Sequence, residues 1–305
     1  MDALILHHHD PSPFAEKIRL VFGIKGLPWQ SVQTAMVMPR PELMALTGGY
    51  RKIPVLQIGA EVICDTRLIA RELEARFPRH SLFPQGSQGL CMAIGAWSDR
   101  NFFDPGAGLA MGLNKSLIPK EVIDDRKGFF NFMDFDRLEA DIPHLFTQFR
   151  VMLERVNSML EDGRRYVLGE QISWADINAY FPVWMARTNF GDAARVLNEW
   201  PTLLAWEERM ATIGHGQRQE MTASEALQIA RDTQHAVVPF CIADDALKLA
   251  PGMEVAVTPT DYGCIPVRGE LLRLEIDRVV LRRTTQQTGE VAVHFPRSGY
   301  SVTRL

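Results

Sequence analysis

Residues 4–19 read LILHHHDPSPFAEKIR, and this stretch sets a strand, a short loop and a helix around one serine. Leu4, Ile5 and Leu6 form the short apolar run of a buried strand. His7 to Asp10 with Pro11 interrupt it, and Ser12-Pro13 opens a new element. Phe14, Ile18, Val21 and Phe22 recur at i, i+4, i+7 and i+8, which predicts a helix with one buried stripe. Pro13 suits the first helical position, where an N–H has no intrahelical partner in any case. The Ser12 hydroxyl then lies among free backbone N–H groups at the positive end of a helix, a place able to hold an anion. The same residues also describe an ordinary helix cap, the serine oxygen satisfying one of those N–H groups.

A chain of 305 residues is long enough for roughly two or three domains, each with a proper core. The formal net charge of −4 argues against binding nucleic acid through phosphate neutralisation. No apolar run approaches the roughly 20 residues that span a bilayer, and the first residues lack the basic and apolar segments of a signal peptide. Cys64, Cys91, Cys241 and Cys264 are scattered, without a CxxC or a Cys/His cluster. Such spacing fits free thiols in a reducing compartment, so a cytoplasmic protein is expected. His7, His8 and His9 would alternate faces along a strand and cannot converge on one ion, so no metal is expected there.

After the first helix, Gly26-Leu27-Pro28 breaks the pattern, and residues 29–34 alternate as a half-exposed strand would. Residues 36–47 read as an irregular or short helical segment, with a turn at Gly48-Gly49-Tyr50. Residues 53–58 and 62–64 predict two strands joined by a turn at Gly59-Ala60. Ile69, Leu73 and Phe77 then mark a helix that Pro78 closes. The order is β-α-β-α-β-β-α.

The segment S-P-F-A-E-K-I-R at residues 12–19 resembles the active-site segment of the glutathione transferase superfamily. It is most similar to the omega-like and related bacterial groups, whose C-P-F-A-E-R pattern has a cysteine where this chain has Ser12; zeta-like members place a serine there. The resemblance continues over roughly the first two thirds of the chain and implies a thioredoxin-like N-terminal domain. Lys52-Ile53-Pro54-Val55 resembles the K-V-P-V segment of that domain, in which the proline is cis and the residue before it offers its backbone to the cysteinyl part of glutathione. The local alternative is a proline at the start of an edge strand. Asp65-Thr66 resembles the acid–Ser/Thr pair that takes the γ-glutamyl end, although the family usually has glutamate and Asp65 is one methylene shorter. Asp65 also reads as a helix cap. Lys52 fits either the glycyl carboxylate or a solvated surface position. The resemblance thus assigns Ser12 to catalysis and Phe14, Lys52, Ile53, Pro54, Asp65 and Thr66 to glutathione, the cosubstrate. Cys64 lies close by and reads as a buried structural thiol.

From about residue 90 to 213 strand alternation is absent and helical spacing prevails. Phe146, Phe149, Leu153, Val156 and Leu160 follow one long helix, and Leu203, Trp206, Met210 and Ile213 another. Ser173 and Asp176, in YVLGEQISWADI, have capping-box spacing before an apolar helix. This segment resembles the transferase C-terminal domain signature and is a folding device, without a catalytic role. Trp97 and Phe102 are the aromatics expected in the hydrophobic cosubstrate pocket, although most aromatics at helical spacing are core. Gly106, Gly108 and Gly112 indicate an irregular or unusually close-packed region.

Beyond Pro239 and Pro251-Gly252, short alternating stretches at 254–257, 271–276, 279–283 and 291–295 are punctuated by Gly263, Gly269 and Gly289. They predict a small antiparallel β-barrel, for which the resemblance supplies no role. The expected class is α+β multidomain: residues 1–80 thioredoxin-like, 86–235 all-helical and 240–305 barrel-like. The expected protein is a glutathione transferase that attacks a small-molecule hydrophobic electrophile, a homodimer by the family's habit, with no nucleic-acid or membrane partner. The alternative is a non-catalytic glutathione-fold protein that binds or regulates through its C-terminal β module. A serine hydrolase is not supported, because no G-x-S-x-G is present.

Overall fold

The N-terminal apolar run becomes β1 (Ile5–His8), fully buried, in a computed structural model that describes residues 2–305. There follow α1 (Pro13–Lys25), β2 (Pro28–Gln33), α2 (Pro41–Thr47), β3 (Val55–Ile58), β4 (Glu61–Cys64) and α3 (Thr66–Arg76). This is the order read from the sequence. β1 pairs parallel with β2 and antiparallel with β3, and β3 turns at Gly59 into antiparallel β4. Gly59 has φ +59°, the left-handed conformation such a turn needs and glycine adopts without strain.

The chain divides into two compact units: residues up to Ile18 with Leu27–Glu72 and Gln217–Leu305, and Arg19–Gly26 with Leu73–Gly216. The second unit is helical. It contains α4 (Gln88–Trp97), a π-helical turn at Ser98–Phe102, α5 (Phe103–Leu113), α6 (Lys120–Lys127), α7 (Leu138–Ser158), α8 (Trp174–Asn189) and α9 (Pro201–Ala211). Of the two readings of Gly106, Gly108 and Gly112, an irregular or a close-packed region, the structure shows close packing within a regular helix. A Cβ on Gly106 would lie 2.6 Å from Met185 Cε, and one on Gly108 2.8 Å from Leu145 Cδ1, so α5 meets α8 and α7 nearly at its backbone. No described helix is long and apolar enough to cross a membrane.

The remaining strands return to the first unit. β5 (Gln217–Glu220) pairs parallel with β2, and α10 (Ala223–Asp232) begins with a capping box between Thr222 and Glu225. β6 (Phe240–Cys241), β7 (Glu254–Pro259), β8 (Val267–Leu274), β9 (Arg278–Thr285), β10 (Gly289–Pro296) and β11 (Tyr300–Arg304) follow. They are mostly antiparallel, as the alternation predicts, but the small closed barrel is not formed. β10 pairs on one side with β9 and on the other, in parallel, with β4: Ala292 opposite Glu61, Val293 opposite Val62, His294 opposite Ile63. One open sheet results, in the order β11-β7-β8-β9-β10-β4-β3-β1-β2-β5, with β6 beside β8. The physical reason lies at the edges. β4 would otherwise present a row of unpaired N–H and C=O groups, and β10 satisfies them instead of closing onto β11.

A shared core accompanies the shared sheet. Leu43, Leu46, Val55, Val62 and Cys64 lie in one buried cluster with Leu227, Val255, Leu271, Val293 and Phe295. The Gln57 amide, completely buried, donates to the Ala226 carbonyl at 2.8 Å and fastens α10 to β3.

Candidate active site

Strand register brings three separated segments to one end of the sheet. His7, in the last half of β1, lies opposite Val55 at the start of β3, and Val55 lies opposite Cys64, the last residue of β4. The loop that leaves β1, the Ile53-Pro54 approach to β3 and the Asp65-Thr66 exit from β4 therefore share an edge. The Ile53–Pro54 peptide is cis, as the resemblance implies.

Ser12 is nearly buried at the mouth of α1. Its Oγ accepts the Ala15 N–H at 3.2 Å and its carbonyl accepts from Glu16 N at 3.1 Å, so the cap is formed. Accepting leaves the hydroxyl proton to donate, and no described residue takes it. Phe14, half-buried at the second position of α1, carries the Lys17 ammonium 4.9 Å from its ring centroid.

Asp65 holds a left-handed backbone, φ +74°, uncommon for a residue other than glycine and a conformation that clusters at ligand sites. Its Oδ1 accepts from Arg67 N at 2.9 Å and Nε at 3.0 Å, and its Oδ2 from Arg67 Nη2 at 2.8 Å. The bond to Arg67 N caps α3. Burial pushes the carboxyl up, but the charge and hydrogen bonds of Arg67 outweigh it and hold the group down to about 2. Asp65 is thus anionic at neutral pH. Thr66, buried, is the first residue of α3 beside it. Cys64 is completely buried, and burial raises its thiol well above the ordinary value, which suits a structural rather than a reactive cysteine.

The C-terminal strands also reach this edge, which the sequence reading missed. Tyr300, at the start of β11, donates to Asp65 Oδ2 at 3.1 Å and meets the Tyr50 hydroxyl at 2.9 Å. Asp261 and Tyr262, between β7 and β8, receive Lys52: its ammonium is 2.5 Å from Asp261 Oδ1 and 4.1 Å from the Tyr262 ring centroid. No local signal marks these contacts, because the partners are 235 and 209 residues apart.

The histidine run alternates faces as expected. His7 Nε2 pairs with Gln57 Oε1 at 2.8 Å and His8 Nε2 with Ser31 Oγ at 3.0 Å. Burial lowers His7 to about 4, against the raising effect of the Gln57 bond. Among the described residues no three His, Cys, Asp or Glu side chains gather as metal ligands.

Residues 6–81 match the glutathione S-transferase N-terminal domain and residues 123–213 the C-terminal domain. A GST-like protein from Pseudomonas syringae, known from its crystal structure, is 32% identical over the whole of both chains, with a TM-score of 0.82. This chain belongs to the glutathione S-transferase family. Glutathione S-transferases U4 and U3 of Arabidopsis thaliana are 24% and 25% identical over 83 residues, 27% of this chain and 37% of theirs. The chain thus matches little more than a third of the length of those plant enzymes. A glutathione S-transferase from Rhodospirillum rubrum shares the fold, at 22% identity and a TM-score of 0.56, over 68% of this chain. The Pseudomonas protein therefore extends over the terminal strands as well.

Within the transferase helical unit, Trp97 ends α4 and its ring lies 5.7 Å from that of Phe102. Phe102 has no exposed surface and packs on Phe149 at 5.0 Å, so it is part of the core. The buried Trp97 Nε1 has no hydrogen-bond partner among the described residues. Neither ring lines the cavity of about 500 Å³ in this unit, whose walls include Arg100, Asp104, Phe132, Met133, His144 and Leu145.

Proposed function

We propose that this family member is a glutathione-dependent transferase in which Ser12 activates the glutathione thiol for attack on a small hydrophobic electrophile. A free thiol has a pKa of about 8.5, so little of it is thiolate at neutral pH. The Ser12 O–H donates to the sulfur, and the N–H groups and dipole of the first turn of α1 favour negative charge there. The thiol proton leaves to solvent. The thiolate then forms the S–C bond, and the leaving group departs with the electron pair. Backbone groups beside cis-Pro54 orient the cysteinyl part, with Phe14 flanking it. Thr66 and the start of α3 take the γ-glutamyl carboxylate, and ionised Asp65 takes the ammonium. Lys52 lies toward the glycyl end. A serine cannot form a mixed disulfide, which leaves conjugation, isomerisation of an activated double bond or dehalogenation as the reaction classes. The same reading carries a cytoplasmic homodimer.

The observation that carries this proposal is the Ser12 hydroxyl, which accepts one helix N–H, has its proton unclaimed among the described residues, and lies on the sheet edge that also bears cis-Pro54 and Asp65. The test is Ser12→Ala. Thiolate absorbance against pH and turnover of an aryl halide are measured, with glutathione binding followed by calorimetry. The thiol pKa of the complex should rise toward the free value and turnover should fall on the order of a hundredfold, as for loss of one preorganised donor. Binding should survive in Ser12→Ala and weaken in Asp65→Ala. Unchanged turnover would reduce Ser12 to a cap, and binding without turnover in the wild type would favour the non-catalytic alternative.

A further inference from the structure

The terminal strands place an acid against a lysine of the candidate site. Lys52 precedes Ile53 and cis-Pro54, and its side chain is only 13% exposed. Its ammonium is held by the Asp261 carboxylate and lies over the ring of Tyr262. Tyr262 is itself buried, and the backbone of this loop is fastened by the Thr260 N–H to the Gly299 carbonyl at 3.0 Å. The pair is thus built into the fold. On the other side, the Asp65 carboxylate is matched by Arg67. Two cations, Lys52 and Arg67, face two anions, Asp65 and Asp261, and these four charges sum to zero.

We propose that Asp261 is a specificity-determining residue, by which the site favours a γ-glutamylcysteinyl thiol with an uncharged, amide-type C-terminal end over one with a free carboxylate. The inference rests on the glutathione reading above. A free carboxylate arriving at Lys52 meets a cation already neutralised and a second carboxylate beside it. It must displace Asp261 or accept like-charge repulsion, and either discriminates against it. A primary amide suits the same pair: its carbonyl oxygen accepts from the Lys52 ammonium and its N–H donates to Asp261, so both groups keep a partner. The adjacent Tyr262 ring holds the ammonium in place and limits its swing toward solvent.

The test is calorimetry of glutathione and of its glycine amide, γ-Glu-Cys-Gly-NH2, against the wild type and Asp261→Asn, with thermal melts to establish that both are folded. The wild type should bind the amide about tenfold more tightly than the free acid, about 1.4 kcal/mol. Asp261→Asn should release Lys52, strengthen the free acid by a similar factor and abolish the preference. A wild type that prefers the free acid, or the same preference in both proteins, overturns the inference and leaves the glutathione reading standing. Failure of both ligands to bind either folded protein removes the glutathione reading and this inference together. The wild-type comparison decides the matter even if the variant does not fold.

Discussion

His7 shows how burial turns an apparently ligand-like residue into a structural one. Its ring is buried and tied to Gln57 of β3, and its pKa is lowered to about 4 by burial. The unfolded chain, with an ordinary histidine value of about 6.5, takes up the proton first as pH falls. The contribution of the neutral ring is therefore fully present above about pH 6.5 and is lost between there and about 4, on the order of 3 kcal/mol in all. Urea melts at pH 7 and pH 4.5 should show that loss in the wild type and much less of it in His7→Gln. An equal pH dependence in the two proteins would remove this account. Ser12 and Asp65 teach the complementary point. Both are caps in fact, Ser12 to Ala15 N–H and Asp65 to Arg67 N–H, yet a cap uses only part of a side chain's hydrogen-bonding capacity.

At the scale of elements, the start of α8 is held by one buried carboxylate. Asp176 accepts from Val167 N at 2.7 Å, Trp206 Nε1 at 3.1 Å, Ser173 N at 3.0 Å and Ser173 Oγ at 2.8 Å. The spacing predicted the capping box. The bonds to Val167 and Trp206 extend it into a clamp joining the preceding loop and α9. Burial raises the Asp176 carboxyl, and the four donors oppose that rise. Asp176→Ala would strand several buried donors at once, a loss of about 4 kcal/mol in the helical unit. Denaturant unfolding followed by tryptophan fluorescence measures it; a cost under about 1 kcal/mol would show that water replaces the clamp.

For the first unit as a whole, the pairing of β10 with β4 makes the terminal strands part of the core. A chain ending at residue 239 would lose β6 through β11, bare the edge of β4 and open the cluster that joins Val55 and Val62 to Val255, Leu271 and Phe295. Such a chain should lack a cooperative melt for this unit and aggregate through the exposed edge. A truncated protein that melts cooperatively at the wild-type temperature would mean that the strands are dispensable. The full-length match to the Pseudomonas protein, against about two thirds for the Rhodospirillum enzyme, fits an extension that folds with this unit.

Sequence alone determined what depends on neighbours along the chain. The strand–loop–helix around Ser12, the β3–β4 turn at Gly59, the Ser173–Asp176 box and the close-packed α5 glycines all follow from periodicity, capping chemistry or the absence of a Cβ. The resemblance in residues 12–19 and 52–55 located the candidate site and its cis proline. Alternation in the last third also predicted the strands. It carried no information about their partner, because a strand edge hydrogen-bonds through backbone groups common to every residue. Tertiary structure alone decided that β10 would zip to β4 rather than close a barrel. Only the fold, likewise, sets Tyr300 on Asp65 and Asp261 on Lys52: long-range ion pairs and hydrogen bonds leave no periodic trace in the residues that make them.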